Sequence, residues 1–198
     1  MAFPSAMRVL AILAHPSGAS FDAALFNQSV ATLREGGHEV RTLDLYGEAF
    51  EARLSEPEWR MNGTVPENRV PVAGLVGDLL WADALVFVFP TWWSGMPAIL
   101  KGWLDRVFLP GVVFELKDGP VRPLLTQIKV WAVITTCGSA WWQVLGLLDP
   151  VRVLMRALRV AVAPQAKPVF LRLYKMDTTT PEERARFLAK VTGRLKAL

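Results

Sequence analysis

Three short segments of this 198-residue chain combine small, hydroxylated and aromatic residues in patterns suited to holding an anion beside a flat ring. The first is His15-Pro16-Ser17-Gly18-Ala19-Ser20-Phe21. With Ser20 as the cap of a helix, the free N–H groups at the helix start and the positive end of its dipole favour a phosphate. The hydroxyls of Ser17 and Ser20 and the His15 ring add donors, although a plain capped turn would use the same residues. The second segment is Pro90-Thr91-Trp92-Trp93-Ser94-Gly95-Met96-Pro97. Two adjacent tryptophans between prolines cannot both pack inward, so at least one is expected to face a ring-shaped ligand. The third, Thr135-Thr136-Cys137-Gly138-Ser139-Ala140-Trp141-Trp142, again joins small residues to paired tryptophans, and its amides could form a nest for developing negative charge.

Other chemistries have weaker support. Neither Trp93-Ser94-Gly95 nor Gly138-Ser139-Ala140 supplies the nucleophile elbow of a serine hydrolase. Asp83, Asp105 and Asp149 read as a helix-end, a surface-pair and an N-cap residue rather than as catalytic carboxylates. Cys137 has no histidine near it in sequence and reads as a small buried thiol. One cysteine and two histidines are too few soft ligands for a zinc site. No GxGxxG follows a strand, which counts against a dinucleotide fold of the Rossmann type.

To bring these segments together, each must leave the carboxyl end of a strand. Apolar, partly β-branched runs at residues 8–14, 39–43, 84–89, 129–135 and 169–174 are the five candidate strands. Helical patterns separate them. Phe21, Ala24, Leu25 and Leu33 mark a first helix ending at Gly36 and Gly37, and Leu75, Leu79 and Leu80 mark a second. Pro97 is placed at the first position of a third, with Trp103 and Leu104 inward and Lys101 and Asp105 paired. Asp149 and Pro150 open a fourth; Thr180, Pro181 and Glu183 open the last with a capping box. Strict alternation predicts an α/β fold: a flavodoxin-like, doubly wound, five-stranded parallel sheet of order 2-1-3-4-5, with helices on both faces and one domain over residues 1–198. Residues 47–71 are too irregular for an element and too long for a plain connection, which makes them functional or interfacial.

Composition bounds the partners. Hydrophobic residues make up 52% of the chain and tryptophans number eight, so an oligomer interface or an aromatic cofactor is expected to cover apolar surface. No run is long enough to span a membrane, and the start reads as a first strand rather than a signal peptide. The lone cysteine suits a reducing cytoplasm. A net charge of +4 is scattered, without the basic run that binds nucleic acid.

FVFPTWWSGMPAILKGWLDRVF from Phe87, AHPSGASFDAAL from Ala14 and ITTCGS from Ile134 together resemble the flavodoxin-like NAD(P)H:quinone oxidoreductase family, relatives of DT-diaphorase and of the ancillary flavoproteins of potassium efflux. The resemblance covers roughly Met7 to Ser139 and is weak beyond Trp142. It implies FAD, or FMN in the same cradle, with its phosphates on His15, Ser20, Phe21 and Asp22. It implies an isoalloxazine held by Pro90, Thr91, Trp92, Trp93 and Ser94, with Thr135, Thr136, Cys137 and Gly138 on its pyrimidine side. The activity implied is ping-pong: NADPH or NADH gives hydride to the flavin and leaves, and a quinone-like acceptor then takes it from the same place. Phe114 falls where relatives place an aromatic wall of the acceptor pocket, and a homodimer completing each site from both subunits is implied. One departure stands out. Trp142 and its neighbours occupy the stretch where animal relatives carry a tyrosine and a histidine, so no side-chain proton donor is evident there. Two other roles remain open on sequence grounds, a regulatory subunit of a potassium-efflux transporter and an azo or nitroaromatic reductase.

Overall fold

The computed structural model describes residues 6–115 and 120–198. Residues 1–5 of the opening run lie outside that description. Five strands, β1 (Arg8–Leu13), β2 (Glu39–Asp44), β3 (Ala84–Pro90), β6 (Val130–Thr136) and β7 (Lys167–Leu173), form a parallel sheet in the order β2-β1-β3-β6-β7. That is the flavodoxin-like winding expected, and strand bounds differ from the expected ones by two residues at most. β3 and β6 are buried at every position, as central strands covered on both faces must be, whereas β2 at the edge is largely open. Alternation along each strand sorts the core into two layers. Val9, Ala11, Val86 and Val88 pack under α1 (Phe21–Glu35) and α7 (Pro181–Leu195). Leu10, Ile12, Leu85 and Phe87 pack under α3 (Ala73–Trp81), α4 (Ala98–Val107) and α6 (Pro150–Val162).

The helix ends follow local chemistry. The Ser20 hydroxyl accepts from the Ala23 N–H at 3.1 Å to start α1, and Gly37, at φ 83°, turns the chain out of it toward β2. Thr180 and Glu183 cap α7 reciprocally, and Asp149 caps α6 with Pro150 at its first position. Lys101 and Asp105 make the expected ion pair on α4. Pro97 sits one position earlier than predicted: it is the N-cap of α4, with ψ at 145°, and Ala98 begins the helix.

Two short helices were not anticipated. Residues 47–71 contain α2 (Glu56–Met61) and a 3₁₀ turn over Glu67–Val72, so this segment does hold regular structure. Its signal was a reciprocal cap between Ser55 and Glu58, too short to carry a hydrophobic period. Arg106 of α4 reaches over to donate Nε and Nη2 to Glu58 Oε1 at 2.9 and 2.7 Å, pinning α2 to the core. Trp103, fully buried one turn from it, packs edge-on to Phe87 and Phe108. The other short helix, α5 (Trp141–Gly146), follows β6, with Gln143 Oε1 accepting from the Ala140 N–H. A small ribbon, β4 (Phe114–Glu115) with β5 (Arg122–Pro123), was also missed, being only two residues long on each side. Asp83 is held by Arg8 through both guanidinium and backbone N–H bonds, so it fastens the start of β1 rather than ending a helix alone.

Candidate active site

The carboxyl ends of β1, β3 and β6 are adjacent in the sheet, so the three segments singled out by their chemistry converge there. They enclose a cavity of about 550 Å³. His15, Ser20, Phe21 and Asp22 line one side; Pro90, Thr91, Trp92 and Trp93 another; Thr136, Cys137 and Gly138 a third. Eleven of the residues proposed from sequence thus meet around one space. Ser94 lines an adjoining cavity instead. Ser17 and Thr135 do not line either: the Ser17 hydroxyl accepts from the Ala19 N–H, and Thr135, wholly buried, bonds the Thr91 hydroxyl at 3.0 Å. Phe114 lies on β4, half-buried against the main core, and Trp142 is exposed on α5; neither is among the residues lining these cavities.

Each wall has a definite character. His15 Nδ1 accepts from the Ser17 N–H at 3.0 Å, which leaves Nε2 as the ring nitrogen that bears hydrogen. Its ring lies 6.1 Å from that of Trp92. Because Ser20 satisfies Ala23, the amides of Phe21 and Asp22 remain over at the start of α1, beside the cavity both residues line. Asp22 is 4% exposed; its Oδ2 accepts from the Thr136 hydroxyl at 2.9 Å and its Oδ1 has no partner. Burial pushes its carboxyl above the ordinary range, against the pull of Thr136 and of His15.

The Trp loop is strained. Trp92 and Gly95 exchange two backbone hydrogen bonds, and the residues between them, Trp93 and Ser94, both adopt positive φ, 49° and 59°. Non-glycine residues in that region are uncommon and concentrate where a fixed surface meets a ligand. The turn stands the Trp93 ring fully out at the mouth of the cavity. Cys137 is buried, and desolvation raises its thiol despite nearby Arg172, so it serves as wall rather than nucleophile.

Sequence reasoning missed four residues here. Met176 and Asp177, from the 3₁₀ turn after β7, complete the rim of the main cavity. Asp149 and Arg172 line the adjoining one. Asp149 was read as an N-cap, which it is, but its Oδ1 also accepts from Arg172 Nη1 at 2.6 Å. A basic residue within a β-strand run was the available signal for Arg172. Among the described residues no group of three or more His, Cys, Asp and Glu side chains is arranged to hold a metal ion.

The family model for the flavodoxin-like fold matches residues 7–187, nearly the whole chain and all three walls of this cavity. The chain belongs to that flavodoxin-like family. Among its relatives, an NAD(P)H oxidoreductase of Haemophilus influenzae is 36% identical over 132 residues, 65% of this chain and 64% of that protein. Human ribosyldihydronicotinamide dehydrogenase [quinone] is 32% identical over 149 residues, 67% of this chain and 64% of that protein. The chain therefore spans less than two thirds of the length of these curated relatives. The solved NAD(P)H:quinone oxidoreductase of Methanothermobacter marburgensis superposes with a TM-score of 0.79 at 27% identity, covering 97% of this chain and 96% of that one.

Proposed function

We propose that the protein is a flavin-dependent NAD(P)H:quinone oxidoreductase, with residues 1–198 acting as one flavodoxin-like domain. The observation that carries this reading is the one cavity lined both by the start of α1, at Ser20, Phe21 and Asp22, and by the strained tryptophan turn. Flavin fits these residues: the Phe21 and Asp22 amides suit its phosphates, and the buried, partnerless Oδ1 of Asp22 is a polar group in need of a ligand contact. Pro90, Thr91, Trp92, Trp93 and Ser94 would hold the ring, with Thr136, Cys137 and Gly138 against its other edge. FAD is preferred, with FMN as the alternative. When bound, the flavin supplies the hydride-accepting and hydride-donating chemistry.

The chain's own share is positioning. The proline-bounded turn holds Trp93 at a fixed place above the sheet end, where a nicotinamide and then an acceptor could stack in succession. Trp92 and Trp93 would shield the ring from water once it is bound between them and the sheet end. The Cys137 amide is already given to the Leu173 carbonyl, so Gly138 is the wall residue whose amide could serve as a fixed donor as charge moves. The test is direct. Purified protein is expected to release a flavin on heating, identifiable by mass, and to oxidise NADPH or NADH when menadione is added. Colourless protein that stays inactive after reconstitution with FAD and FMN would sink the reading.

A homodimer is part of the same proposal. Trp141, Trp142, Leu145, Leu147 and Leu148, in and just after α5, are all more than half exposed, as is Trp93, and Leu147 and Trp93 both line the adjoining cavity. A contiguous apolar surface of this kind favours a partner, and a second copy would also bring Trp142 over a site. Among the described residues no helix is long and apolar enough to cross a membrane. The lone, buried Cys137 suits a reducing, cytoplasmic setting. Sedimentation equilibrium is expected to give twice the chain mass; a monomer at micromolar concentration would contradict the dimer.

A further inference from the structure

Beside the proposed flavin cavity lies a second, of about 280 Å³, and the two share Thr91, Trp93, Cys137 and Gly138 as a common wall. Its other walls divide evenly, with Val144, Leu147, Pro150 and Val151 apolar and Ser94, Ser139, Asp149 and Arg172 polar. Arg172 brings the positive charge. Its side chain is 1% exposed, and while Nη1 is bonded to Asp149, Nε and Nη2 have no partner. Phe170 and Tyr174 flank the guanidinium at 5.0 and 5.8 Å and fix its plane. The arrangement is deliberate in chemical terms, because a buried donor left unpaired is unfavourable unless something else accepts from it.

Charge sharpens the point. Asp149 faces two cations, Arg172 through Oδ1 at 2.6 Å and Arg152 through Oδ2 at 3.3 Å. One carboxylate against two guanidiniums leaves the cluster net positive. The N-terminus of α6, which Asp149 caps and whose Pro150 and Val151 line the cavity, adds its dipole in the same sense. Leu148 and Asp149 both hold positive φ, 57° and 48°, so backbone strain gathers here as it does at Trp93 and Ser94 across the cavity.

We infer that this cavity is a subsite for a flat aromatic acceptor carrying an anionic oxygen, such as a carboxylated or ionised hydroxyquinone, with Arg172 as its oxygen-binding donor. The word acceptor rests on the quinone-reductase reading; the anion preference does not. A guanidinium fork matches two adjacent oxygens better than an ammonium does, and Asp149 positions that fork without using up its hydrogens. The ring would lie between Trp93 and the apolar wall, next to where the flavin is proposed. Arg172 would thus supply fixed positive charge and hydrogen bonds, though no transferable proton, arriving from β7 rather than from the stretch after β6.

The test is isothermal titration of the flavin-loaded protein with 2-naphthoate and its uncharged isostere 2-naphthamide, neither of which can be reduced by it. Naphthoate is expected to bind about fivefold tighter or better. The paired variant Arg172→Gln with Asp149→Asn, which keeps the αL cap and leaves no lone charge, is expected to bring the ratio to about twofold or less by weakening naphthoate alone. Equal binding in the wild type, or a ratio that survives the paired change, overturns the subsite. Should the paired variant lose its circular dichroism, Leu147→Glu at the exposed mouth decides instead: naphthoate is expected to weaken about threefold or more with naphthamide unmoved, and no weakening overturns the inference. Menadione, which is neutral, separates the two proposals. Menadione turnover with equal naphthoate and naphthamide binding overturns the subsite alone. A naphthoate preference without turnover supports the subsite and overturns the quinone reading.

Discussion

Replacing Gly102 by alanine is expected to lower stability by about 3 kcal/mol, which for a chain of this length lowers the melting temperature by roughly 6–12 °C. Gly102 is buried in the middle of α4, where a side chain would project straight into the backbone of Ala52. A Cβ placed there overlaps the Ala52 carbonyl oxygen and comes within 2.7 Å of its Cα and carbonyl carbon. Backbone cannot rotate away as a flexible side-chain tip can, so either α4 shifts off the sheet or residues near Ala52 lift from it. The same contact lies next to the Arg106 to Glu58 ion pair, so α2 should loosen with it. Gly193→Ala is the internal control. That glycine is exposed on α7 with open space around its missing Cβ, and alanine there is expected to stabilise by up to about 1 kcal/mol through helix propensity. Thermal melts of the two variants should therefore move in opposite directions; a Gly102→Ala melt within about 2 °C of the parent would show that α4 does not need this close approach.

The second large effect concerns charge in the cradle. Asp22→Asn is expected to tighten flavin binding by about tenfold at alkaline pH, an amount equal to about 1.4 kcal/mol. Burial raises the Asp22 carboxyl above its ordinary range, so the folded protein holds this proton more firmly than the unfolded chain does. Stability contributed by the neutral form is complete below the unfolded pKa and is lost as pH rises through the folded one. Beyond that point an anion stands beside the helix-start amides, where the flavin phosphate is proposed to bind, with Asp177 on the same cavity rim. Wild-type affinity should therefore fall as pH climbs past the raised value, while the asparagine variant stays flat. At acid pH the two should converge. Flavin fluorescence titrations across the range read both arms. Weaker binding by the variant at every pH would mean instead that the carboxylate accepts a hydrogen bond from the cofactor.

Both expectations depend on contacts that sequence could not display, and this marks where its reach ended. The strands were legible because burial on both faces of a parallel sheet demands continuous apolar runs, which β3 and β6 satisfy at every position. Their order followed from alternation with helices, and the place of the site followed from the winding. Ser20, Asp149 and Thr180 were legible as caps because capping is a transaction between residues three apart. The three segments at the sheet ends could thus be assigned to one cavity before their distances were known.

What lay beyond reach involves partners far apart in the chain. Arg172 meets Asp149 across 23 positions because β7 pairs with β6 in a register that sets Arg172 beside Thr135, at the strand end where α6 begins. Hydrophobic period says that a strand is there, not which charged side chain its register delivers to a neighbour's end. Arg106 and Glu58 are 48 positions apart, and α2 exists as much through that pair as through its own six residues. Phe114 and Trp142 show the reverse limit: the resemblance pointed to Phe114 as a wall of the acceptor pocket and to Trp142 in place of a familiar pair, but only the structure shows Phe114 half-buried against the core on β4 and Trp142 exposed on α5. The sequence by itself determined the sheet, its winding and the residue types gathered at its carboxyl edge, since those rest on local period and short-range caps. Only the tertiary structure decided which buried charges meet there and which are left with hydrogens to offer, because burial and pairing are properties of neighbours in space.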